Sequence, residues 1–238
     1  TVGSTNDYAK EIGNKVSGGT LIISEQQTKG KGRLGRVWKS KSGDGIWMSL
    51  IIKPKIEPYK APFLTLVAGA SVVKALSNLG VEASIKWPND IIVHNKKICG
   101  ILTELSAEME RVNYVVIGIG INIKTIDFPD EIKEKATSLY KEGYKLSRVD
   151  IVRQFCIEFE KLYKGYILDG NKQDTLELCR KYSAIIGKQV YVIKNNKREL
   201  VKCIDINENG NLIVKEKNGE IQEIMSGEVS IRGVKGYV

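Results

Sequence analysis

The 238-residue sequence is poor in the residues that build metal centres and covalent frameworks. Its four cysteines (Cys99, Cys156, Cys179, Cys203) lie far apart, no two form Cys-x-x-Cys, and His94 is the lone histidine. That leaves no zinc-ligand set and no disulfide framework, and it suits a reducing, cytoplasmic setting. Long apolar runs are also missing: none approaches the roughly 18 residues needed to span a bilayer, so no membrane partner is expected. The amino terminus, Thr1-Val2-Gly3-Ser4-Thr5-Asn6, lacks the basic-then-apolar layout of a secretory signal. It also lacks an initiator methionine, which is read as processing or as a start inside a longer chain. Internal repeats, low-complexity tracts and a Walker A pattern (G-x-x-x-x-G-K-[ST]) are absent as well.

Positive charge is present in excess. Lys and Arg number 37 against 28 Asp and Glu, a formal net charge of +9. Such a balance favours anionic partners, whether nucleotide, nucleic acid or an acidic protein, although a solvated lysine-rich surface gives the same sum. Distribution narrows the choice: six cations fall between Lys29 and Lys41 with no acid among them.

The patterning predicts an α+β domain over 1–183 and a small all-β domain over 184–238. Ser4 to Ile12 reads as a capped helix start, Thr20–Gln26 and Ile46–Lys53 as strands, and Pro62–Leu79 as a buried helix with a proline start and a stop at Gly80. Ala83–Trp87, Ile91–Val93, Ile98–Leu105 and Tyr114–Ile123 are strand candidates joined by short polar turns, with Asn95-Lys96 at a hairpin. Arg148–Leu168 and Asp174–Tyr182 carry helical periodicity. Beyond Ser183 come four closely spaced strand candidates, with Asn209-Gly210 and Asn218-Gly219 as type I′-like turns. That texture suggests a small barrel.

Three segments carry chemistry. Gly30-Lys31-Gly32-Arg33-Leu34-Gly35-Arg36-Val37-Trp38-Lys39-Ser40 interleaves glycines, which let backbone amides approach an anion, with cations that neutralise it. An enzyme joining a carboxylate to a phosphate needs both, because two anions must meet. Trp38 offers a face on which a ring can stack. A mobile lid and a plain disordered basic loop both fit this composition. In Lys86-Trp87-Pro88-Asn89-Asp90 and Lys97-Ile98-Cys99-Gly100-Ile101-Leu102, a hairpin would bring Lys86 and Lys97 together, though two exposed turn lysines fit equally. Asn89-Asp90 also fits turn chemistry alone, Cys99 reads as a small buried residue, and His94 as a solvated one. In Tyr114–Ile123 (YVVIGIGINI), Gly118 and Gly120 suggest either close approach of a ligand or backbone, or a bulge, with Asn122 able to bond a base.

Taken in order, Ser4-Thr5-Asn6, Gln26-Gln27, GKGRLGRVWKS, KWPND, KICGIL and GIGIN resemble the biotin–protein ligases across the first two thirds of the chain. The resemblance implies a mixed or antiparallel sheet with packing helices, the class II synthetase-like biotin/lipoate ligase fold, and an SH3-like terminal barrel. It implies that biotin and Mg-ATP give biotinyl-5′-AMP, and that biotin then passes to a lysine of a biotin carboxyl carrier domain. Mg2+ would be bound through ATP rather than by a protein metal site. Ser4, Thr5, Asn6 and Gln27 match positions around biotin's ureido ring, which needs hydrogen-bonding groups. Gly30, Lys31, Gly32, Arg33, Lys97 and Gly100 complete the biotin set, and Arg33, Arg36, Trp38, Lys97 and Asn122 the ATP or adenylate set. Arg33 and Lys97 are the catalytic candidates, while Lys86, Asn89 and Asp90 lie in a signature without assigned roles. Lys31 departs from the arginine of many relatives, keeping charge but losing a bidentate fork. No helix-turn-helix domain precedes residue 1, so no DNA partner is expected from this chain, and whether the protein is monofunctional stays open, as does a homodimer. A lipoate–protein ligase is the enzymatic rival. A nucleic-acid-binding module is the other, but it would spread cations among stacking aromatics on a sheet.

Overall fold

The computed structural model describes residues 1–194, 197–226, 229–234 and 236–238. In chain order the elements are α1 (Thr5–Ile12), β1 (Thr20–Ser24), β2 (Gln27–Lys31), β3 (Val37–Ser40), β4 (Gly45–Ile52), α2 (Phe63–Asn78), β5 (Ser84–Lys86), β6 (Asp90–Val93), β7 (Lys96–Glu108) and β8 (Arg111–Asn122). There follow α3 (Arg148–Leu168), α4 (Gln173–Lys181), β9 (Gln189–Lys194), β10 (Lys197–Ile206), β11 (Leu212–Lys215), β12 (Ile221–Ile224) and β13 (Ser230–Gly233).

Six strands form an antiparallel sheet in the order β1-β4-β8-β7-β6-β5. Every residue of β4 is buried, and β8 is nearly as dry, because both faces of the sheet are covered. On one face α1 packs Ala9 and Ile12 against Ile51, Tyr114 and Val116. On the other, α2 and α3 bring Leu64, Val67, Leu76, Phe155 and Phe159 into the main core. The stretch Pro58–Asn78 is long and apolar enough to cross a membrane, yet 72% of its apolar window is buried inside the fold. It is apolar all round because it is enclosed all round.

The remaining strands make a five-stranded antiparallel sheet, β12-β11-β10-β9-β13, in keeping with an SH3-like barrel. It shares one continuous core with the larger sheet rather than standing apart. The Trp87 indole donates to Gly210 O at 3.0 Å. Gly210 has φ +82° and so little room that a Cβ would lie 2.4 Å from Leu66 Cδ1 on α2.

Turn chemistry differs from the expectation in two places. The β6–β7 turn is centred on His94-Asn95, both at positive φ (46° and 62°), one residue before the expected Asn95-Lys96. The turns at Gly210 and Gly219 are not type I′, since Asn209 and Asn218 are absent from the positive-φ residues. Gly210 N donates to Asn207 O and Asn207 N to Asn211 O, and 216–220 repeats the pattern. This is a type I turn closed by a left-handed glycine bulge.

Candidate functional site

Ser4 caps α1 from an extended conformation (φ −148°), with its side chain facing Asp7 N. The first turn of α1 thereby presents Thr5 and Asn6 to the centre of the sheet. Gln27 Oε1 receives Thr5 N (2.8 Å) and Thr5 Oγ1 (3.0 Å), while Gln27 Nε2 donates to Ser40 Oγ across the β2–β3 ribbon. Asn6 Oδ1 accepts from Ser49 Oγ at 2.6 Å. Its amide donates to Leu102 O and to Glu104 Oε2, so its orientation is fixed. Gly118 faces this amide: a Cβ there would sit 2.1 Å from Asn6 Oδ1. Close approach, not a bulge, explains this glycine, for the β7–β8 irregularity lies at Ser106/Ala107. Gly120 leaves only ordinary contact, 3.5 Å to Trp47.

Ser4, Thr5, Asn6 and Gln27 are polar groups lining a cavity walled by Trp47, Met48, Ile101, Leu102 and Ile119. Its lining also includes Lys31, Gly32, Arg33, Trp38, Asn89, Lys97 and Gly100. Gly32, Arg33, Trp38, Asn89 and Lys97 also line a second, larger cavity with Arg36, Lys86, Asp90, Lys135, Arg232 and Tyr237. A neutral, hydrogen-bonding slot thus opens through Arg33 and Lys97 onto a cation-lined space.

The glycine-and-arginine segment is no disordered loop. β2 and β3 pair it into a two-stranded ribbon, with Gly32 N donating to Arg36 O at 2.8 Å. Gly30 is glycine for packing rather than for anion access, since a Cβ would lie 2.5 Å from Trp38 O. Arg33 reaches out of the ribbon to Asn89 Oδ1 (2.9 Å) and Val229 O (3.3 Å), touching both the KWPND turn and the terminal sheet. Burial pulls the Arg33 guanidinium below its ordinary pKa, against the attraction of Asp90. Lys31 pairs with Asp7 of α1 at 2.7 Å with both side chains nearly half exposed, a contact of small energetic worth.

Lys86 is not an exposed turn lysine, because register places it inside. β5 pairs Lys86 with Asp90, and β6 pairs Asp90 with Gly100, so Lys86 and Lys97 converge on one carboxylate. Lys86 is 3% exposed, and burial, partly offset by Asp90, lowers its pKa to about 7. Asp90 Oδ1 lies 2.5 Å from Lys97 Nζ but outside hydrogen-bond geometry. Burial would raise the Asp90 carboxyl, yet Lys97, Tyr237 and Lys86 outweigh it and hold the group below its ordinary value. Gly100 leaves room for the lysine: a Cβ there would meet Lys97 Nζ at 2.9 Å. Asn89 donates to Ile101 O, Cys99 is buried, and burial raises its thiol pKa far from any reactive range. His94 is not simply solvated, since its Nδ1 lies 2.5 Å from Glu142 Oε2.

Asn122 stands apart from both cavities. It is 2% exposed, donates to Thr137 O at 3.0 Å, and lines a third cavity with Asp44, Phe128 and Ile132. Trp38 borders all three spaces, and Lys97 Nζ sits 5.4 Å from its ring centroid. Sequence reasoning missed Ser49, Glu104, Arg232 and Tyr237. Ser49 carried a signal, as the one hydroxyl in the apolar run IWMSLII.

Comparison with known proteins shows the family. Residues 1–122 match the Biotin/lipoate A/B protein ligase family, and residues 185–232 match the Biotin protein ligase C terminal domain. The bifunctional ligase/repressor BirA of Bacillus spizizenii is 40% identical over 97% of this chain and 72% of its own length. Among solved structures, the Aquifex aeolicus biotin protein ligase in complex with biotin and ATP is similar, at TM-score 0.85 and 32% identity, covering 98% of this chain and 96% of that one. The Helicobacter pylori biotin acetyl coenzyme A carboxylase synthetase with bound biotinylated ATP follows at TM-score 0.61 and 25% identity, covering 94% and 98%. The chain belongs to the biotin protein ligase family.

Proposed function

We propose that the protein joins biotin to ATP as biotinyl-5′-AMP and then transfers biotin to a lysine of a biotin carboxyl carrier domain in the cytoplasm. One observation carries this reading: the slot with these polar groups meets the cation-lined cavity at Arg33 and Lys97. In the slot, Thr5, Asn6 and Gln27 supply donors and acceptors for a neutral urea, with Ser4 holding the helix turn, while Trp47 and Ile101 cover the bicycle. At the junction, the biotin carboxylate oxygen attacks the α-phosphorus, the bond to the β-phosphate oxygen breaks, and pyrophosphate leaves. Arg33 and Lys97 cancel the repulsion of the two anions and stabilise the charge that develops between them. Arg36, Lys86 and Arg232 line the space for the polyphosphate, and Trp38 and Asn122 that for the base. In the second step a carrier lysine amine attacks the acyl carbon, the bond to AMP breaks, and the amine loses its proton.

Mg2+ in this reading arrives on ATP. Among the described residues no three of His, Cys, Asp and Glu group as metal ligands, and the carboxylate in the cavity, Asp90, is already matched to Lys97. The polar lining of Thr5, Asn6 and Gln27 suits a neutral urea better than the apolar dithiolane of a lipoyl group, which favours biotin. ATP–pyrophosphate exchange measured with each acid separates the two: exchange with biotin and not with lipoate is expected, and the reverse overturns the reading.

The same slot makes a second test available. Gly118→Ala places a methyl group against an amide that three partners hold still. It is expected to weaken biotin binding by roughly tenfold or more, the scale of an overpacked core contact, with ATP binding little changed. Calorimetric titration with each ligand reads this, and equal losses for both ligands would contradict the placement of biotin's ring.

A further inference from the structure

Residues 236–238 return to the cation-lined cavity. Gly236 bridges back to Gly233 at the end of β13, and a Cβ on Gly233 would lie 2.2 Å from the Val238 carbonyl carbon. Glycine at 233 therefore leaves the groove in which the final residues lie. From there Tyr237 enters the site. Its carbonyl accepts from Lys86 Nζ at 2.5 Å, and the same ammonium sits 3.4 Å from its ring centroid. Its hydroxyl donates to Asp90 Oδ2 in a short hydrogen bond. Asp90 turns its other oxygen to Lys97.

We propose that Tyr237 is a positioning residue for adenylation: it fixes the Asp90 carboxylate, and through it Lys97, so that the terminal sheet completes the active site. This rests on the role given to Lys97 above. Lys97 and Asp90 form a close ion pair, so Asp90 holds Lys97 near the junction. Asp90 can hold it there only if its own rotation is blocked, and the tyrosine hydroxyl supplies that restraint. The cover that Tyr237 gives Lys86 is a second consequence. The charged and titratable groups around Lys86 are Asp90, Lys97, Arg36 and Arg232, with Tyr237 itself.

The experiment compares the full chain with Tyr237→Phe, with a chain ending at Gly236, and with Gly233→Ala, which displaces the tail without altering a polar group. Tyr237→Phe is expected to lower the rate of biotinyl-AMP formation about tenfold, the worth of one hydrogen bond to a charged group, with KM for biotin unchanged. Lysine Cε NMR of the ligand-free protein gives a readout independent of activity. Lys86 should titrate near pH 7 in the full chain and at a different pH in the shortened chain and in Gly233→Ala, where the cover, the carbonyl contact and the ring contact of Tyr237 are lost together. An unchanged adenylation rate in Tyr237→Phe would overturn the proposal, as would a Lys86 titration that ignores loss of the tail, or a rate that falls only in proportion to a lowered Tm. If the full chain forms no biotinyl-AMP at all while Lys86 still responds to the tail, the ligase reading fails and the structural coupling stands.

Discussion

Replacing Arg33 with alanine is expected to slow biotinyl-AMP formation on the order of a hundredfold, the cost of removing one preorganised donor from an anionic junction. It is also expected to let biotinyl-AMP escape faster. Both follow from where the guanidinium sits. It leaves the β2–β3 ribbon, crosses to Asn89 and reaches Val229 O, so it pins the ribbon across the mouth shared by the two cavities. Being largely withdrawn from water, its charge acts at lower local dielectric than an exposed arginine's. Arg33→Lys should recover part of the rate, because charge returns, but little of the retention, because a lysine cannot span two acceptors. Rapid-quench measurement of adenylate formation and a chase measurement of its release separate the two effects. An unaltered release rate in Arg33→Ala would contradict the closing role of the ribbon.

Lys97→Ala is expected to be the most damaging single change, lowering adenylation by roughly a thousandfold and also lowering stability. The stability loss arises because Asp90 would stay buried without its nearest cation, an arrangement that typically costs about 3–5 kcal/mol. The carboxyl's folded pKa lies below its ordinary 3.8, so the stability it contributes is present above that value and lost as pH falls through the lower folded one. Adding Asp90→Asn to Lys97→Ala should therefore restore Tm near neutral pH and flatten its dependence at acid pH, without restoring adenylation. Thermal melts from pH 3 to 7 beside the rate assay check this. Recovery of rate along with Tm would mean that Lys97 acts only through folding.

Much of this was legible from residues alone. Periodicity placed the helices over Arg148–Leu168 and Pro62–Leu79 within a residue or two of α3 and α2, because apolar spacing and the proline and glycine stops are local signals. The four strands expected beyond Ser183 match β9 to β12, whereas β13 (Ser230–Gly233) was not read. The glycine-and-arginine segment was not legible: ribbon and coil share a composition, and what decides between them is Gly30 packing under the Trp38 carbonyl and Arg36 O accepting from Gly32. Lys86 was misleading because a turn-flanking lysine looks exposed until the β5–β6 register turns it inward. Glu104 and Tyr237 lie 98 and 147 residues from the partners they hold, Asn6 and Asp90, and no local pattern can report such a contact. The resemblance to the ligases supplied the identity of the small acid, which neither charge nor spacing states.

In the proposed reaction the chain makes biotinyl-5′-AMP at the junction of the two cavities. Incubating it with biotin and Mg-ATP, removing excess ligand and recording its mass under native conditions tests that directly. One tightly held species with the mass of biotinyl-5′-AMP is expected, lost in Lys97→Ala. Recovery of biotin and ATP unreacted, or of an adenylate only when lipoate replaces biotin, would contradict it.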